Sequence, residues 1–169
     1  TFAIPGVNAA TPGVINLLSP LPAITQQMTV DATSQSGFDG PPLVEIHSPG
    51  GNNWAGFNIL ANNVTVRGFS ITGFNQGMFA WEGQTGILIE QNIVGSNRLH
   101  VAGQGNGLGV GVRASNSVIR HNAIVGNGSG LVLHQGGSTN LVFEKTFGVF
   151  SDGVCALGNM GSAVEVFDG

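Results

Sequence analysis

The residues SVIRHNAIVGNGSGLVL, 117–133, indicate the fold most clearly, because they set short apolar strands on either side of a turn rich in Asn and Gly. Three further segments repeat its first half: VTVRGFSITG (64–73), ILIEQNIVGSN (87–97) and LVFEKTFGVFS (141–151). Alignment makes five residues equivalent, at spacings of 23, 30, 24 and 23 residues: Val66, Ile89, Ile119, Phe143 and Val166. A period near 23 predicts a coil of strands and turns in which each copy stacks on the one before.

The longer spacing of 30 residues indicates an insert near 98–105. No helical period of useful length is present, so the predicted fold is all-β, a parallel solenoid of about five to six coils. We expect a single domain over 1–169, with irregular N-terminal coils over 1–63 and regular repeats over 64–169. In the irregular part, MTVDA, LVEIH and GFNIL read as strands on three successive sides of the coil.

The residue after each aligned apolar position is charged, and the sign alternates along the series Asp31, Arg67, Glu90, Arg120 and Glu144. In stacked parallel coils, equivalent residues lie about 4.8 Å apart, so alternating signs make neighbours attract each other. Each exposed pair contributes only about 0–1 kcal/mol, so we interpret this charge column as a device for register. A charged track for a substrate is the less favoured interpretation, because every charge already has a partner.

Each copy also contains a second strand that begins with glycine: GMFAW (77–81), GVGVR (109–113), GLVLH (130–134) and GVCAL (153–157). Period-two spacing predicts two inward columns, Met78, Val110, Leu131 and Val154, then Ala80, Val112, Leu133 and Ala156. Several positions predicted to face outward are apolar and, with the terminal strand, form a candidate assembly surface: Phe79, Val132, Val142 and Val166. Exposed apolar area of this kind marks an interaction surface, unless the insert or the N-terminal segment folds over it.

Asparagine recurs in two turn columns. Asn92 and Asn122 align with Phe69 and Thr146, and a second column contains Asn97, Asn127, Phe74 and Ser151. Asparagine tolerates left-handed backbone, and its amide can bond the backbone of the next coil. We interpret these asparagines as structural turn residues.

Copies such as SVIRHNAIVGNGSGLVL resemble the right-handed parallel β-helix repeat family, the pectate-lyase-like superfold. The N-terminal run from FAIPG to LVEI resembles the opening of large bacterial surface and secreted β-helix proteins of unassigned function. The resemblance covers nearly the whole chain and implies a right-handed solenoid. It also implies a capping helix before this opening, for which the chain has no sequence.

Catalytic chemistry finds little support in the sequence. Relatives with lyase activity use clustered carboxylates to hold calcium, whereas here Asp39, Glu82, Asp152 and Asp168 are scattered over the repeat. The four histidines share no metal-ligand spacing, and Cys155 reads as a small apolar strand residue. We therefore expect no catalytic residue, no metal site and no cofactor. Trp81 beside Glu82 is the best candidate for contact with a glycan, although aromatic residues in coils more often serve packing.

Composition restricts the partners. Charged residues are 8% of the chain, against about 25% in ordinary globular proteins, and the net charge is −4, which argues against nucleic acid. Apolar runs stay shorter than the roughly 18 residues of a membrane span, and TFAIPG does not read as a signal segment. The favoured hypothesis is a noncatalytic structural protein, extracellular or on a bacterial-like cell surface, that self-associates through uncapped ends. The alternative is a carbohydrate-binding or polysaccharide-degrading, lyase-like module of a larger secreted protein.

Overall fold

The computed structural model of the protein describes residues 2–50, 53–150 and 152–167. These residues contain sixteen β-strands, and no helix is found among them. The strands, numbered in chain order, are β1 (Gly13–Asn16), β2 (Thr29–Asp31), β3 (Val44–His47), β4 (Ala55–Ile59), β5 (Thr65–Arg67), β6 (Phe69–Thr72), β7 (Gln76–Ala80), β8 (Leu88–Glu90), β9 (Ile93–Val94), β10 (Leu108–Val112), β11 (Val118–Arg120), β12 (Ala123–Ile124), β13 (Ser129–Leu133), β14 (Leu141–Phe143), β15 (Thr146–Phe147) and β16 (Val164–Val166).

The strands form three parallel sheets, and each coil of the chain visits the three in turn. Sheet 1 has the order β2-β5-β8-β11-β14, sheet 2 the order β1-β3-β6-β9-β12-β15, and sheet 3 the order β4-β7-β10-β13-β16. MTVDA, LVEIH and GFNIL lie in sheets 1, 2 and 3, as predicted. The all-β parallel solenoid is confirmed, and the six strands of sheet 2 agree with five to six coils.

The core is built from stacked columns of identical or similar apolar side chains. Val66, Ile89 and Ile119 face inward from sheet 1, where Val66 pairs with Ile89 and Ile89 pairs with Ile119. The inward columns of the other sheets are Ile71, Val94 and Ile124 in sheet 2 and Met78, Val110 and Leu131 in sheet 3. All nine side chains are fully buried. Removal of this apolar area from water is the main stabilising contribution to the solenoid.

Glycine near the start of the sheet 3 strands allows the coils to approach closely. The column contains Gly56, Gly77, Gly109 and Gly130. A Cβ atom on Gly109 would lie 2.6 Å from the carbonyl oxygen of Gly130 and 3.0 Å from the side-chain nitrogen Nδ2 of Asn127. A larger residue would therefore push against the backbone of the next coil and against its turn asparagine.

The last coil of sheet 1 corrects one predicted alignment. Ile119 pairs with Val142, and Arg120 pairs with Phe143, so the equivalent of Ile119 is Val142 rather than Phe143. The spacing from 119 to 142 is 23 residues, which restores the period seen between Val66 and Ile89. Because successive strand residues point to opposite faces, a slip of one residue moves each side chain to the other face.

The placement of Val166 is a second correction. It pairs with Leu133 in sheet 3, not with the column of Val66 in sheet 1. The chain after β15 first makes a hairpin, in which Val149 and Ala156 form an antiparallel bridge, and then reaches sheet 3 as β16. Val164 and Val166 consequently take the column positions predicted for Val154 and Ala156.

Two loops cover the outer face of sheet 2. The insert, residues 98–105, is held at one end by an ion pair of 3.0 Å between Arg98 and Asp39. The C-terminal hairpin, described at residues 149–150 and 152–156, contributes Phe150 and Cys155 to a small apolar cluster with Ile93, Ala123 and Val125. The covered face is therefore that of sheet 2, while the sequence had placed the candidate assembly surface on sheets 1 and 3.

The N-terminal end of the core is partly closed by the chain itself, which corrects the expectation of uncapped ends. Phe2 and Ile4 pack against the core, and the Phe2 ring meets Phe69 edge to face at 5.4 Å. The Gln35 side chain accepts a hydrogen bond from the Ile4 amide and donates one to its carbonyl. These apolar side chains shield part of the core of the first coils from water.

Candidate functional site

The charge column of sheet 1 is a continuous chain of ion pairs over four coils. Arg67 lies 2.7 Å from Asp31 and 3.4 Å from Glu90, and Glu90 lies 2.8 Å from Arg120. The Glu90 side chain is only 7% exposed, whereas those of Arg67 and Arg120 are 36% and 39% exposed. Hydrogen bonding to Arg67 lowers the pKa of Asp31, and the same contact raises the pKa of Arg67. The four charges neutralise one another, which fits a structural role.

Glu144 is not part of this column, contrary to the sequence-based prediction. It follows β14 at a positive φ of 49°, in line with Gly68, Gln91 and His121, which also have positive φ. Its carboxylate lies 3.0 Å from His121 Nε2, and both side chains are well exposed. The one-residue slip puts Phe143, not Glu144, beside Arg120. His121 and Glu144 line a surface cleft with Pro41, Pro42 and Ile93.

The first asparagine column stacks as predicted at Asn92 and Asn122. Asn92 Oδ1 accepts a hydrogen bond from the Phe69 amide, and Asn122 Oδ1 accepts from both the backbone and the side-chain nitrogen of Asn92. Each side chain also donates to a carbonyl of the preceding coil, that of Val66 or Ile89. The pairing of Ala123 with Thr146 shifts the last position of this column from Thr146 to Lys145. Both asparagines are buried, so they hold turns together and offer no free amide to a ligand.

The second asparagine column contains Asn106, Asn127 and Asn159, and Asn97 is not a member. Asn106 donates to Asn127 Oδ1, and Asn127 donates to Asn159 Oδ1. The Phe74 amide donates to Asn106, which puts Phe74 in the column with Asn127, as predicted, whereas Ser151 lies outside the described residues. The insert follows Asn97 and moves the turn to Asn106. The dipeptide Gly-Asn at 105–106, 126–127 and 158–159 was the sequence signal for this column.

Asn97 instead belongs to a buried polar network beneath the insert. Its side chain donates to Glu45 Oε2 at 2.9 Å, and Thr72 Oγ1 donates to Glu45 Oε1 at 2.6 Å. His47 Nδ1 lies 2.9 Å from the same Thr72 hydroxyl. Carboxylate, hydroxyl and imidazole are the groups of a nucleophilic site, but Thr72 is completely buried and no substrate can reach it. The network anchors the insert.

An aromatic and cationic stripe crosses the outer face of sheet 3. Trp81 is 39% exposed, its ring centroid lies 4.8 Å from that of Phe79, and its indole nitrogen donates to Asn58. The Arg113 guanidinium lies 6.0 Å from the Phe79 ring, and His134 lies 5.4 Å from it. Burial, together with the nearby charge of Arg113, lowers the pKa of His134. Arg113 Nε and His134 Nε2 are buried atoms without a hydrogen-bond partner in the described structure.

Glu82 is exposed in the turn after Trp81, where its side chain approaches Gly136. The two candidate glycan contacts are thus neighbours at the edge of the stripe.

The four residues of the candidate assembly surface differ in exposure, and most of them are buried or packed against the core. Phe79 and Val132 are each only 4% exposed, because the Phe79 ring lies over Gly111 and its neighbours cover the rest. Val142 packs against the core, and Leu141, 58% exposed, takes its predicted outward place. Val166 is 65% exposed on the last strand of sheet 3. Of the four residues, Val166 alone offers a large exposed side chain.

Metal-ligating side chains come together at a place the sequence did not indicate. His100 of the insert meets Asp152 and Cys155 of the C-terminal hairpin, and their ligand atoms all lie within 4.8 Å of one another. Spacing along the chain hides this group, because 52 residues separate His100 from Asp152. Cys155 is partly buried in the hairpin rather than in a strand of the coil.

Comparison with family models adds an independent observation to this geometry. Residues 34–166 match the model described as the right-handed β-helix region. The chain belongs to this family. The resemblance noted in the sequence implied a right-handed solenoid, and the family match confirms it. Comparison with curated proteins and with solved structures gave no match.

Membership in the right-handed β-helix family defines the fold, and function has to be argued from the surfaces. Within the described residues, no helix has the length and hydropathy needed to cross a membrane. Three surface features of this β-helix offer chemistry: the exposed end coils, the stripe on sheet 3 and the group at His100.

Proposed function

We propose that the protein is a noncatalytic structural β-helix of the cell exterior that self-associates through its end coils. The observation that carries the proposal is where exposed large apolar side chains lie: of fifteen among the described residues, eleven belong to the end coils or to the hairpin that the last coil carries. They are Val14, Ile15, Leu18 and Met28 at one end, and Leu141, Phe143, Val154, Met160, Val164, Val166 and Phe167 at the other.

Open strand edges support the same proposal. β1 and β2 are edge strands at the N-terminal end, and β14, β15 and β16 are edge strands at the C-terminal end. Such edges present unpaired N–H and C=O groups that can pair with another chain. A head-to-tail contact between copies would continue sheets 1 and 2 through these edges, and a contact of this type gives an open filament unless rotation closes it into a ring.

The small number of charges acts in the same direction. Five basic and nine acidic residues are few for 169 residues, and four of them neutralise one another in the charge column. Charges that would keep copies apart are therefore scarce on this surface.

Electron microscopy of the purified chain tests the proposal, with Val166→Asp as the blocking variant. A carboxylate at an exposed position of β16 would have to be desolvated in any contact through this strand, so Val166→Asp should shorten or abolish fibres. Leu99→Asp is the matched control, because Leu99 is exposed on the insert between β9 and β10, away from both end coils, and it should form normal fibres. Dispersed single particles of the wild-type chain at high concentration, or unchanged fibres of Val166→Asp, would contradict the proposal.

A second candidate function is carbohydrate binding, with cleavage in its lyase-like form, on the stripe of sheet 3. The observation that favours it is the exposed Trp81 ring with the exposed side chain of Glu82 beside it. A flat aromatic ring suits stacking on a sugar, and a carboxylate accepts hydrogen bonds from sugar hydroxyl groups.

A glycan array separates the two candidates. The carbohydrate proposal predicts binding that Trp81→Ala abolishes, while Leu99→Ala, an exposed apolar residue of the insert, leaves it intact. New reducing or unsaturated ends in bound glycans would indicate cleavage. An array without bound glycans, or binding unchanged in Trp81→Ala, would reject this candidate.

A further inference from the structure

The side chains of His100, Asp152 and Cys155 form a cluster where two loops meet above sheet 2. His100 belongs to the insert, and the other two belong to the C-terminal hairpin. Neither loop is part of the regular coil, so this contact is additional to the stacking that holds the solenoid together. The chemistry of the cluster serves neither the proposed end-to-end association nor glycan binding on sheet 3.

The donor set matches a borderline-soft divalent cation. An imidazole nitrogen, a carboxylate oxygen and a thiolate sulfur are all ligands of Zn²⁺, and three protein ligands leave a fourth position for water. Hard cations such as Ca²⁺ and Mg²⁺ prefer sites built from oxygen ligands alone. The presence of Cys155 and His100 therefore favours zinc over those ions.

The distances are close to those that a zinc ion requires. His100 Nε2 lies 3.9 Å from Asp152 Oδ2, and all three ligand atoms lie within 4.8 Å of one another. Metal–ligand bonds of about 2.0–2.3 Å in a tetrahedron separate ligand atoms by roughly 3.3–3.8 Å. Side-chain movements of about 1 Å or less, within loops at the surface, would close the set around the ion.

Local contacts already orient two of the ligands. The His100 ring stacks on Phe150, with centroids 3.9 Å apart and an interplanar angle of 30°. Asp152 Oδ1 accepts hydrogen bonds from the amides of Val154 and Cys155, which leaves Oδ2 facing the histidine. Such supporting contacts fix the direction of ligands in metal sites.

We propose that His100, Asp152 and Cys155 form a Zn²⁺ site that fastens the insert to the C-terminal hairpin. Binding replaces the thiol proton of Cys155 by the metal, releases that proton to solvent and leaves one coordination position open to water. The bound ion joins the two loops that cover sheet 2. This arrangement departs from the expectation, based on sequence spacing, that the chain has no metal site.

Titration of the full chain with Co²⁺, a spectroscopic substitute for Zn²⁺, tests the proposal. We expect one equivalent to produce an intense near-ultraviolet band from thiolate-to-metal charge transfer, and Zn²⁺ to displace it. Cys155→Ser should abolish the band, and His100→Gln and Asp152→Asn should each weaken Co²⁺ binding at least about tenfold. His121→Gln is the matched control, because His121 pairs with Glu144 elsewhere, and it should bind normally.

A second readout does not depend on the absorption band. Zn²⁺ should slow tryptic cleavage after Arg98 in the wild-type chain and have no effect in His100→Gln, because the metal holds the insert in place. Absence of the charge-transfer band, its persistence in Cys155→Ser, or full-strength binding by His100→Gln would overturn the proposal. Circular dichroism of each variant shows whether the fold is retained.

Discussion

At the scale of single residues, Glu90 is the most buried member of the charge column. Its carboxylate lies between Arg67 and Arg120, and its side chain is only 7% exposed. A carboxylate in this position satisfies two guanidinium groups at once. Loss of its charge leaves both arginines beside a group that attracts them weakly.

Glu90→Gln should reduce the free energy of unfolding by about 1–3 kcal/mol, because hydrogen bonds to a charged group are lost where water has little access. Urea denaturation at neutral pH measures the change. Glu144→Gln is the control and should alter stability by less than about 0.5 kcal/mol, since its pair with His121 is exposed. Equal losses of stability in the two variants would contradict the buried, doubly paired position of Glu90.

Asp31 predicts an acid dependence of stability. Arg67 lowers its pKa from the ordinary value of 3.8, so the folded state holds the ionised form more strongly than the unfolded chain does. This contribution is fully present above pH 3.8 and is lost as the pH falls through the lower folded pKa. Wild type should therefore be more stable than Asp31→Asn at pH 7, and the difference should shrink in urea titrations between about pH 5 and pH 2. A difference independent of pH would contradict the ion pair.

The charge column from Asp31 to Arg120 could be predicted from sequence, because equivalent residues of stacked coils must be neighbours. Glu144 could not be placed in the same way. In LVFEK, either Val142 or Phe143 could take the inward position equivalent to Ile119. The observed pairing of Ile119 with Val142 assigns that position to Val142. Burial of Phe79 was likewise hidden, because it depends on the space above Gly111 in the next coil.

At the scale of elements, the strands of sheet 3 depend on a column of glycines. The space for a Cβ atom at Gly109 is occupied by a backbone oxygen, which cannot rotate away as a side chain can. At Gly77, Gly109 and Gly130, a side-chain nitrogen of the second asparagine column also lies within 3.0 Å of the place that a Cβ atom would take. Both the stacking of the strands and the stacking of the turns therefore require glycine at these positions.

Gly109→Ala should reduce the free energy of unfolding by about 1–3 kcal/mol or more, because the added methyl group would lie 2.6 Å from the Gly130 carbonyl oxygen. Gly158→Ala is the matched control. A Cβ atom there meets no heavy atom within 4 Å, so the change should stay within about 0.5 kcal/mol. Thermal or urea denaturation compares the variants, and an undiminished stability of Gly109→Ala would show that the coils are farther apart.

The strands of the middle coils could be predicted from the sequence, whereas the path of the last coil could not. GVCAL has the same apolar alternation as GLVLH, yet it forms part of a hairpin closed by Val149 and Ala156. Alternation describes a half-buried surface of any kind, and it cannot distinguish a coil strand from a loop that packs on a sheet. The insert at 98–105 was predicted by its length, whereas its position over sheet 2 depends on long-range contacts such as Arg98 with Asp39.

At the scale of the whole molecule, the solenoid is held together by contacts between successive coils. An inner strand such as β8 or β11 has a neighbour on each side, whereas β14 and β16 have one. Stability in such repeat proteins is approximately a sum over coils and their nearest-neighbour interfaces. The end coils should therefore open before the middle ones.

Native-state hydrogen exchange should show this gradient. We expect the amides of β8 and β11 to exchange slowest and those of β14 and β16 fastest, because local opening costs less where one neighbour is missing. Val164→Ala should accelerate exchange in the last coil only, whereas Ile89→Ala should accelerate it in the coils on both sides. Uniform protection along the chain would contradict a stack of separately packed coils.

The parallel coils stack with one defined register, and scalar couplings across hydrogen bonds measure that register directly. In an isotope-labelled sample, the structure predicts couplings from the amide of Leu88 to the carbonyl of Val64, from Val118 to Ile87, and from Leu141 to Ser117. These couplings place Val142 beside Ile119 and Glu90 between two arginines. Couplings shifted by one residue at Leu141, or no couplings between these coils, would contradict this register of the parallel coils.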